Sequence, residues 1–298
     1  MKARYAHIDR HQQLSPKAFT ANYVHQCKPV IITGLMENWK AVREWSPQYF
    51  KTAAPNLDIP VKEFGNSEGI KSSIWTMRRY VDFLEDYAKT NDYKHDGNPP
   101  PYCHDIPIFS LINSIIQDVQ PFPVAYLPQW YSHKWWRYIQ FFLGPSRSVT
   151  PLHFDCLLTN NLFFQVVGRK KFTLLPADDS QCCYRYNWRW FMVDPEDPDY
   201  NKYPQYKKAN PIEAIVNPGD VLYMPPGTLH HVRSLDMSIS FNIDWHTVRS
   251  SINGVLAVFR GMPTQNVYYN FLIALGLTCK IHPRFIFPFY KPYLNYVS

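Results

Sequence analysis

Glycine is scarce in this sequence, which has 11 glycines among its 298 residues. Charged residues are also few, at 18%, whereas hydrophobic residues make up 46% and aromatic residues 16%. This composition excludes a collagen-like or other low-complexity chain and argues against intrinsic disorder. We therefore expect a globular protein with enough apolar side chains to bury a large core.

Long runs of one kind of residue are also absent. The 31 Lys and Arg residues outnumber the 24 Asp and Glu residues and give a net charge of +7, but they are scattered along the chain. This charge distribution is compatible with an acidic partner such as RNA but does not by itself indicate one. No apolar run reaches the roughly 20 residues of a membrane span, because the most hydrophobic late stretch, residues 267–277, is interrupted by Tyr and Asn. We expect no membrane association.

Cysteine is sparse and shows no metal-binding pattern. The six cysteines follow no zinc-finger spacing, and Cys182 and Cys183 are adjacent, which suits a reduced compartment better than a disulfide framework. The N-terminus lacks the apolar core of a secretory signal. These features predict a cytosolic protein, or a nuclear one in a eukaryote.

The first third of the chain mixes helix and strand signals. Ser15 followed by Pro16 predicts the start of a helix, and residues 29–34 predict a short buried strand. Apolar residues at helical spacing predict an amphipathic helix over residues 76–88. Residues 91–107 contain a run of three prolines and show no periodicity, so we expect an exposed loop there.

The middle third is rich in short strand candidates separated by Gly, Pro and Asp turns. They are residues 139–143, 161–167, 171–175, 220–224 and 237–244. Strands at such intervals predict a mainly β fold with flanking helices, of the sandwich or jelly-roll type. Helical periodicity returns after residue 248 and breaks near residues 262–263. The aromatic, proline-rich tail over residues 282–296 is expected to pack across a surface or a partner.

We expect three regions along the chain. Residues 1–120 form an extension of helices and strands that packs on the core. Residues 121–248 form the β-rich core. Residues 249–298 form C-terminal helices and the aromatic tail.

A His-x-Asp sequence in the middle third is the first chemical signal. In an extended strand, residues i and i+2 point to the same face, so His153 and Asp155 lie side by side. Alone, this pair is better explained by a histidine that a carboxylate orients. A third ligand is offered by His230 or His231 at the start of a later strand. Two imidazoles and one carboxylate favour a non-haem Fe(II) site, since zinc enzymes more often use three nitrogens or a glutamate.

Several ordered motifs together resemble the cupin-like branch of the JmjC oxygenases. That branch includes the asparaginyl hydroxylase of hypoxia-inducible factor and the wybutosine tRNA hydroxylase. The N-terminal segment 29–34, with Trp39 and Trp45, fits the same pattern, so the resemblance covers about residues 15–248. The motifs are Thr150-Pro-Leu-His-Phe-Asp155, Gln165-Val-Val-Gly-Arg-Lys170, Pro218-Gly-Asp-Val-Leu-Tyr-Met-Pro225, His230-His-Val-Arg-Ser234 and Ser240-Phe-Asn-Ile-Asp244.

This resemblance implies an Fe(II)- and 2-oxoglutarate-dependent dioxygenase on a double-stranded β-helix, the jelly roll of cupin and JmjC proteins. The implied iron ligands and catalytic residues are His153, Asp155 and His230. His230 is preferred to His231 because Val232 sets the register of the family motif. His231 is then either a group that supports the ligands or an ordinary core histidine.

Lys170 is the expected binding residue for the co-substrate. If Gly168 and Arg169 form a two-residue hairpin turn, Lys170 shares one face of the sheet with Phe163 and points into an apolar barrel. A lysine buried there needs an anion, and the family uses the lysine at this position for the distal carboxylate of 2-oxoglutarate. The alternative is an exposed hairpin with a solvated Lys170.

The resemblance also suggests four further 2-oxoglutarate contacts, which are Tyr126, Thr150, Asn161 and Asn242. The sequence departs from the family in two places. The segment between Asp155 and Gln165 is about two residues longer than expected, so Asn160 could replace Asn161. Asp244 stands where an aromatic residue is common, and it either alters the pocket wall or reaches the surface.

The function that these residues imply is hydroxylation of a macromolecular substrate, with a protein or peptide side chain as the leading candidate. A tRNA- or RNA-modifying oxygenase and an N-demethylase of the same class are alternatives. An inactive cupin-like binding module and a zinc enzyme come from other classes; the intact His, Asp, His and Lys set counts against both. The C-terminal helices are a candidate homodimer interface.

Overall fold

The structure is a computed structural model that describes residues 7–64, 70–89 and 99–295. The described strands are β1 Asp9–Gln12, β2 Val30–Thr33, β3 Asp58–Phe64, β4 Ile70–Thr76, β5 Tyr102–Ile106, β6 Ile139–Gly144, β7 Val149–His153, β8 Asn160–Val167, β9 Lys170–Leu175, β10 Ile212–Val216, β11 Val221–Met224, β12 Leu229–Ser234 and β13 Ser238–Trp245.

These strands form two sheets that face each other. The larger sheet has nine strands in the order β1-β2-β11-β8-β13-β6-β5-β3-β4, and the smaller has four in the order β10-β9-β12-β7. Neighbouring strands are antiparallel except β1 and β2. Phe163 of the large sheet packs against Phe172 of the small one, with ring centroids 5.0 Å apart. The prediction of a mainly β sandwich with flanking helices is confirmed.

Helices cover the outer face of the large sheet. There, Trp39 stacks on Phe164 and Phe241 at 5.5 and 5.9 Å. The α-helices are α1 Pro16–Phe19, α2 Lys40–Glu44, α3 Pro47–Ala53, α4 Met77–Lys89, α5 Ile108–Leu111, α6 Gln129–Ser132, α7 Val248–Leu256, α8 Thr264–Thr278 and α9 Pro283–Asn295. Helix α1 continues as a π-helix over Thr20–Val24, and 3-10 segments lie at Asn113–Val119, Val124–Tyr126, Trp135–Tyr138, Ala177–Cys182, Pro204–Lys208 and Ala257–Arg260.

Local sequence signals for helices are confirmed. The Ser15 hydroxyl accepts a hydrogen bond from the Ala18 N–H and caps α1, with Pro16 at the first helical position. Helix α4 buries Met77, Tyr80, Val81 and Leu84, one stripe at the predicted spacing. None of the helices in residues 7–64, 70–89 and 99–295 has both the length and the apolar character needed to cross a bilayer.

The expected loop over residues 91–107 is wrong at its C-terminal end. Residues 91–98 lie outside the described part, whereas Tyr102–Ile106 forms strand β5 between β3 and β6. Cys103 pairs with Val61 on one side and with Leu143 on the other. Hydrogen bonding to two distant strands stabilises this segment as a strand. The prolines that precede it obscured the strand signal in the sequence.

The predicted hairpin at Gly168 and Arg169 is also wrong. Strands β8 and β9 belong to different sheets, and Lys170 pairs with Val216 and Ser234 instead of Val167. The chain passes between the sheets at Gly168, where φ is +70° and an added Cβ would lie 2.1 Å from the Met237 carbonyl oxygen. Glycine is required there because no other residue tolerates both conditions.

The two ends of the chain join the fold differently. Strands β1 to β5 continue the large sheet by hydrogen bonding, so the segment before residue 120 is part of the same sandwich. The C-terminal tail is helix α9 as far as Asn295, with Tyr290 and Tyr293 packed on Tyr269 of α8. Residue 296 lies outside the described part. The division at residues 120 and 248 stays a prediction.

Candidate active site

Two neighbouring strands bring the three predicted metal ligands together. His153 at the end of β7 lies directly opposite His230 of β12 in the antiparallel pairing, and their ring centroids are 4.1 Å apart. Asp155 lies two residues beyond the end of β7, with its Oδ1 atom 3.8 Å from the His230 Nε2 atom. One ligand atom from each residue lies within 4.8 Å of the other two. Strand pairing therefore assembles a His, Asp, His group from distant parts of the sequence.

The two imidazoles are oriented by backbone carbonyls. The His153 Nδ1 atom lies 2.8 Å from the Pro151 oxygen, and the His230 Nδ1 atom lies 3.1 Å from the Thr228 oxygen. Because a carbonyl only accepts, each Nδ1 carries the proton and each Nε2 offers a lone pair. Burial, followed by the neighbouring His230 and Arg189, holds the pKa of His153 well below its usual range. Two neutral imidazoles and a carboxylate fit a divalent metal such as Fe(II).

The ligand group lies in a cavity between the two sheets. Seven of the eight predicted site residues line this cavity. They are His153, Asp155, His230, Lys170, Thr150, Asn161 and Asn242.

Lys170 is a buried amine within that cavity, with 1% of its surface exposed. Its Nζ atom donates to the Tyr102 hydroxyl at 2.6 Å and to the Ser240 hydroxyl at 3.0 Å. Burial lowers the pKa of Lys170 to about 7, and no carboxylate in the described ranges forms an ion pair with it. A solvated Lys170 is therefore excluded. The site suits a carboxylate ligand, which would supply the missing counter-ion.

The asparagine assignment is decided by side-chain direction. Asn161 donates from Nδ2 to the Asp155 Oδ2 atom at 3.2 Å, while its Oδ1 atom is buried and has no partner in the described part of the chain. Asn160 points the other way and accepts from the Tyr223 hydroxyl at 2.7 Å. Asn161, and not Asn160, therefore belongs to the cavity.

Tyr126 lies outside the cavity, contrary to the expectation from the family position. Its ring packs on Phe19 at 5.5 Å, and its hydroxyl donates to the Leu14 carbonyl. These contacts belong to the core between the large sheet and the helices. Tyr102 of β5 is the tyrosine that contacts Lys170 instead.

Strand β5 supplies cavity residues that sequence reasoning missed. Tyr102 and His104 alternate with Cys103, a period of two that the proline-rich flank obscured. His104 Nε2 lies 3.2 Å from the Thr150 hydroxyl, and Asp105 pairs with Lys62 at 3.1 Å. Burial lowers the pKa of His104 to about 4. Burial alone would raise the pKa of Asp105, but His104 and Lys62 outweigh it and hold that pKa well below its usual range.

Asp244 also lines the cavity, so this departure from the family alters the pocket wall. The side chain accepts a hydrogen bond from Asn242 Nδ2 at 2.9 Å, and 8% of the residue is exposed. Burial, reinforced by the charges of Asp155 and Asp105, holds the pKa of Asp244 well above its usual range.

His231 faces away from the cavity. Its Nε2 atom lies 3.9 Å from the Asp194 carboxylate, in a second group of possible ligands completed by Glu196. Glu196 already pairs with Lys171 at 2.8 Å and with Arg233. Those two cations make this group a salt-bridge network and a poor place for a metal ion.

Comparisons with known proteins agree with this geometry. The family model for the cupin-like domain matches residues 16–251. JmjC domain-containing protein D of Dictyostelium discoideum is 29% identical over 245 residues, which cover 74% of this chain and 52% of that protein. Lysine-specific demethylase 8 of Xenopus tropicalis is 27% identical over 233 residues, covering 76% and 50%. Arginine-specific demethylase JMJ20 of Arabidopsis thaliana is 25% identical over 263 residues, covering 78% and 55%. The chain thus spans about half the length of these relatives.

Proposed function

Because the chain belongs to the cupin-like domain family, we propose that it is a JmjC-type Fe(II)- and 2-oxoglutarate-dependent oxygenase that acts on a protein side chain. The observation that carries this proposal is the presence of the His153, Asp155 and His230 group and the buried Lys170 amine in one cavity. The narrower likeness to the asparaginyl hydroxylase and the wybutosine hydroxylase stays a prediction.

Each cavity residue has a defined task in this proposal. His153, Asp155 and His230 would hold Fe(II), with Asn161 orienting the Asp155 carboxylate through its 3.2 Å hydrogen bond. When bound, the iron, 2-oxoglutarate and dioxygen together supply the oxidising chemistry that places an oxygen atom on a substrate C–H bond.

Lys170 would bind the distal carboxylate of 2-oxoglutarate, together with the hydroxyls of Tyr102 and Ser240. An anion there restores the ammonium form that burial disfavours. The apolar rings of Phe142, Phe163 and Phe172 line the same cavity and exclude water from the reacting groups.

The substrate part of the proposal rests on the relatives. Two of them are named as lysine-specific and arginine-specific demethylases, which supports a protein substrate for this chain. Hydroxylation of a side-chain carbon is the simplest outcome. Demethylation is the same oxidation of an N-methyl carbon, followed by loss of formaldehyde, and is the second candidate.

A homodimer through the C-terminal helices also stays a proposal. It is supported by exposed apolar side chains on this part of the chain: Ile252 and Leu256 on α7, Phe259 after it at 85% exposure, Phe271 on α8, and Phe285 and Phe289 on α9. Surface of this kind favours association. Light scattering at several protein concentrations would test it.

Metal binding and co-substrate turnover test the enzymatic proposal. We expect the purified chain to bind one Fe(II) and to convert 2-oxoglutarate to succinate. His153→Ala should lose both properties, because two ligands do not hold a catalytic metal. His133→Ala is the matched control, since His133 is exposed and far from the cavity lining. A folded wild-type chain that binds neither Fe(II) nor 2-oxoglutarate would favour the binding-module alternative, and tight zinc binding without succinate formation would favour the zinc enzyme.

A further inference from the structure

Strand β13 runs along the cavity and places polar side chains at successive positions on its wall. Ser240, Asn242 and Asp244 of β13 alternate with core residues and face the cavity. Ser240 contacts Lys170 at one end, and Asp244 lies about 13 Å further along the strand, from a rise of about 3.3 Å per residue. Asp244 pairs across the sheet with Asn161, which binds Asp155. The metal-ligand group therefore lies at the Asp244 end, away from Lys170.

Asp244 is an acid without a basic partner. Its side chain accepts a hydrogen bond from Asn242, and no Lys, Arg or His in residues 7–64, 70–89 and 99–295 forms an ion pair with it. The other buried acid of the β5 side, Asp105, pairs with Lys62. A buried carboxylate is destabilising unless a cation or several donors meet it. Asp244 is therefore a buried carboxyl group at the cavity wall that no cation among the described residues meets, and a cation bound beside it would favour its ionised form.

An aromatic ring from the C-terminal helix lies at the same end. Tyr293 of α9 lines the cavity, and its hydroxyl lies 3.3 Å from the sulfur of Cys156, another lining residue. A carboxylate beside an aromatic ring is the pair of groups that binds an ammonium or guanidinium, through an ion pair and a cation–π contact.

We propose that the Asp244 end of the cavity binds the cationic head of a lysine or arginine side chain of the substrate, with Asp244 as its counter-ion and Tyr293 as an aromatic wall. This inference rests on the proposed function, in which the co-substrate occupies the Lys170 end and the substrate must approach the metal from the other side. Asp244 then determines specificity and positions the substrate; it is not a metal ligand, since it does not belong to the ligand group.

Peptide pairs that differ by one charge test the proposal. The probes are labelled peptides with a central lysine or its neutral isostere norleucine, and with a central arginine or its neutral isostere citrulline. Their affinity is measured by fluorescence anisotropy for the chain loaded with Mn(II) and 2-oxoglutarate without oxygen. We expect the charged member of at least one pair to bind roughly 30-fold tighter or better, the effect of leaving a buried charge unpaired.

Asp244→Asn should remove this preference because it keeps the shape and loses the charge. Asp244→Glu should retain part of it, and Asp178→Asn, which changes an exposed carboxylate, should leave it intact. Equal affinity within both pairs on the wild-type chain, no peptide binding at all, or a preference that persists in Asp244→Asn would each overturn the inference.

Separate measurements of Mn(II) and 2-oxoglutarate binding distinguish a failure of the proposed function from a failure of the Asp244 assignment. If the wild-type chain binds neither, the proposed function fails. If wild type and Asp244→Asn bind both equally well and the charge preference is missing, only the assignment of Asp244 fails. Thermal unfolding of each variant confirms that a loss of preference is not a loss of folding.

Discussion

Replacing Lys170 with methionine should have opposite effects on stability and on co-substrate binding. The Lys170 amine is buried with no anion beside it among the described residues, and burial lowers its pKa from the ordinary 10.5 to about 7. At about 1.4 kcal/mol per pKa unit, holding this group in the folded chain at pH 7 costs on the order of 4 kcal/mol. Methionine has a similar length and no charge.

Removing the buried amine should therefore stabilise the folded chain, but the loss of its hydrogen bonds offsets part of this stabilisation. The Tyr102 and Ser240 hydroxyls each lose a hydrogen bond from Nζ, at about 1 kcal/mol apiece. We therefore expect Lys170→Met to raise the free energy of unfolding of the ligand-free chain by roughly 2 kcal/mol at pH 7. The variant should at the same time lose 2-oxoglutarate binding, since the cation of the binding site is gone.

The pH dependence has a defined sign. Between about pH 7 and 10.5 the unfolded chain keeps the Lys170 proton while the folded chain releases it, so the unfolded state binds more protons. Wild-type stability therefore rises with pH across this window relative to Lys170→Met, so the variant's advantage falls to zero near about pH 9 and reverses above it, where the lost hydrogen bonds dominate. Below pH 7 both states carry the proton and the difference stays constant.

Urea unfolding at pH 7, 8, 9 and 10 would measure this difference. Added 2-oxoglutarate with Mn(II) should stabilise wild type by about 2.7 kcal/mol at a hundredfold excess over Kd, relative to Mn(II) alone, and should not stabilise the variant. Lys171→Met is the control: Lys171 points away from the cavity and pairs with Glu196 and Glu213 near the surface. A Lys170→Met variant that is less stable than wild type at pH 7, or that binds 2-oxoglutarate with unchanged affinity, would refute the reasoning.

Two further substitutions examine the backbone and the buried histidines. Gly168→Ala should lower the free energy of unfolding by roughly 3 kcal/mol or more, because φ is +70° and the new Cβ meets the Met237 carbonyl oxygen. Gly219→Ala is the control, since φ there is +91° but no described atom lies within 4 Å of the new Cβ. It should lower the free energy of unfolding by only about 1 kcal/mol in the same chemical-denaturation assay. His246 is fully buried and burial lowers its pKa to about 3, so the unfolded chain takes up a proton below about pH 6.5 that the folded chain refuses. Wild type should therefore lose about 2 kcal/mol more than His246→Asn between pH 7.5 and pH 5, and parallel stability curves for the two would contradict this.

Features that depend on local residue chemistry and periodicity could be predicted from the sequence alone. The capping serine of α1, the apolar stripe of α4 and most strands of the sandwich follow from residue type and spacing, which act within a few residues. Residue chemistry indicated His153 and Asp155 with either His230 or His231, and the family resemblance selected His230. The structure brings these three residues within 4.8 Å of one another. The inward direction of Lys170 was also predicted correctly, although the hairpin used to argue for it does not exist.

Only the tertiary structure decided which distant segments meet. It paired β8 and β9 with different sheets, placed Tyr102 and His104 of β5 in the cavity, and left Tyr126 in another core. It also turned Asp244 into a buried acid at the metal end and brought Tyr293 of α9 beside it. The physical reason is that alternation and side-chain chemistry are local properties, whereas the partner of a strand or helix depends on how the whole chain buries its apolar surface.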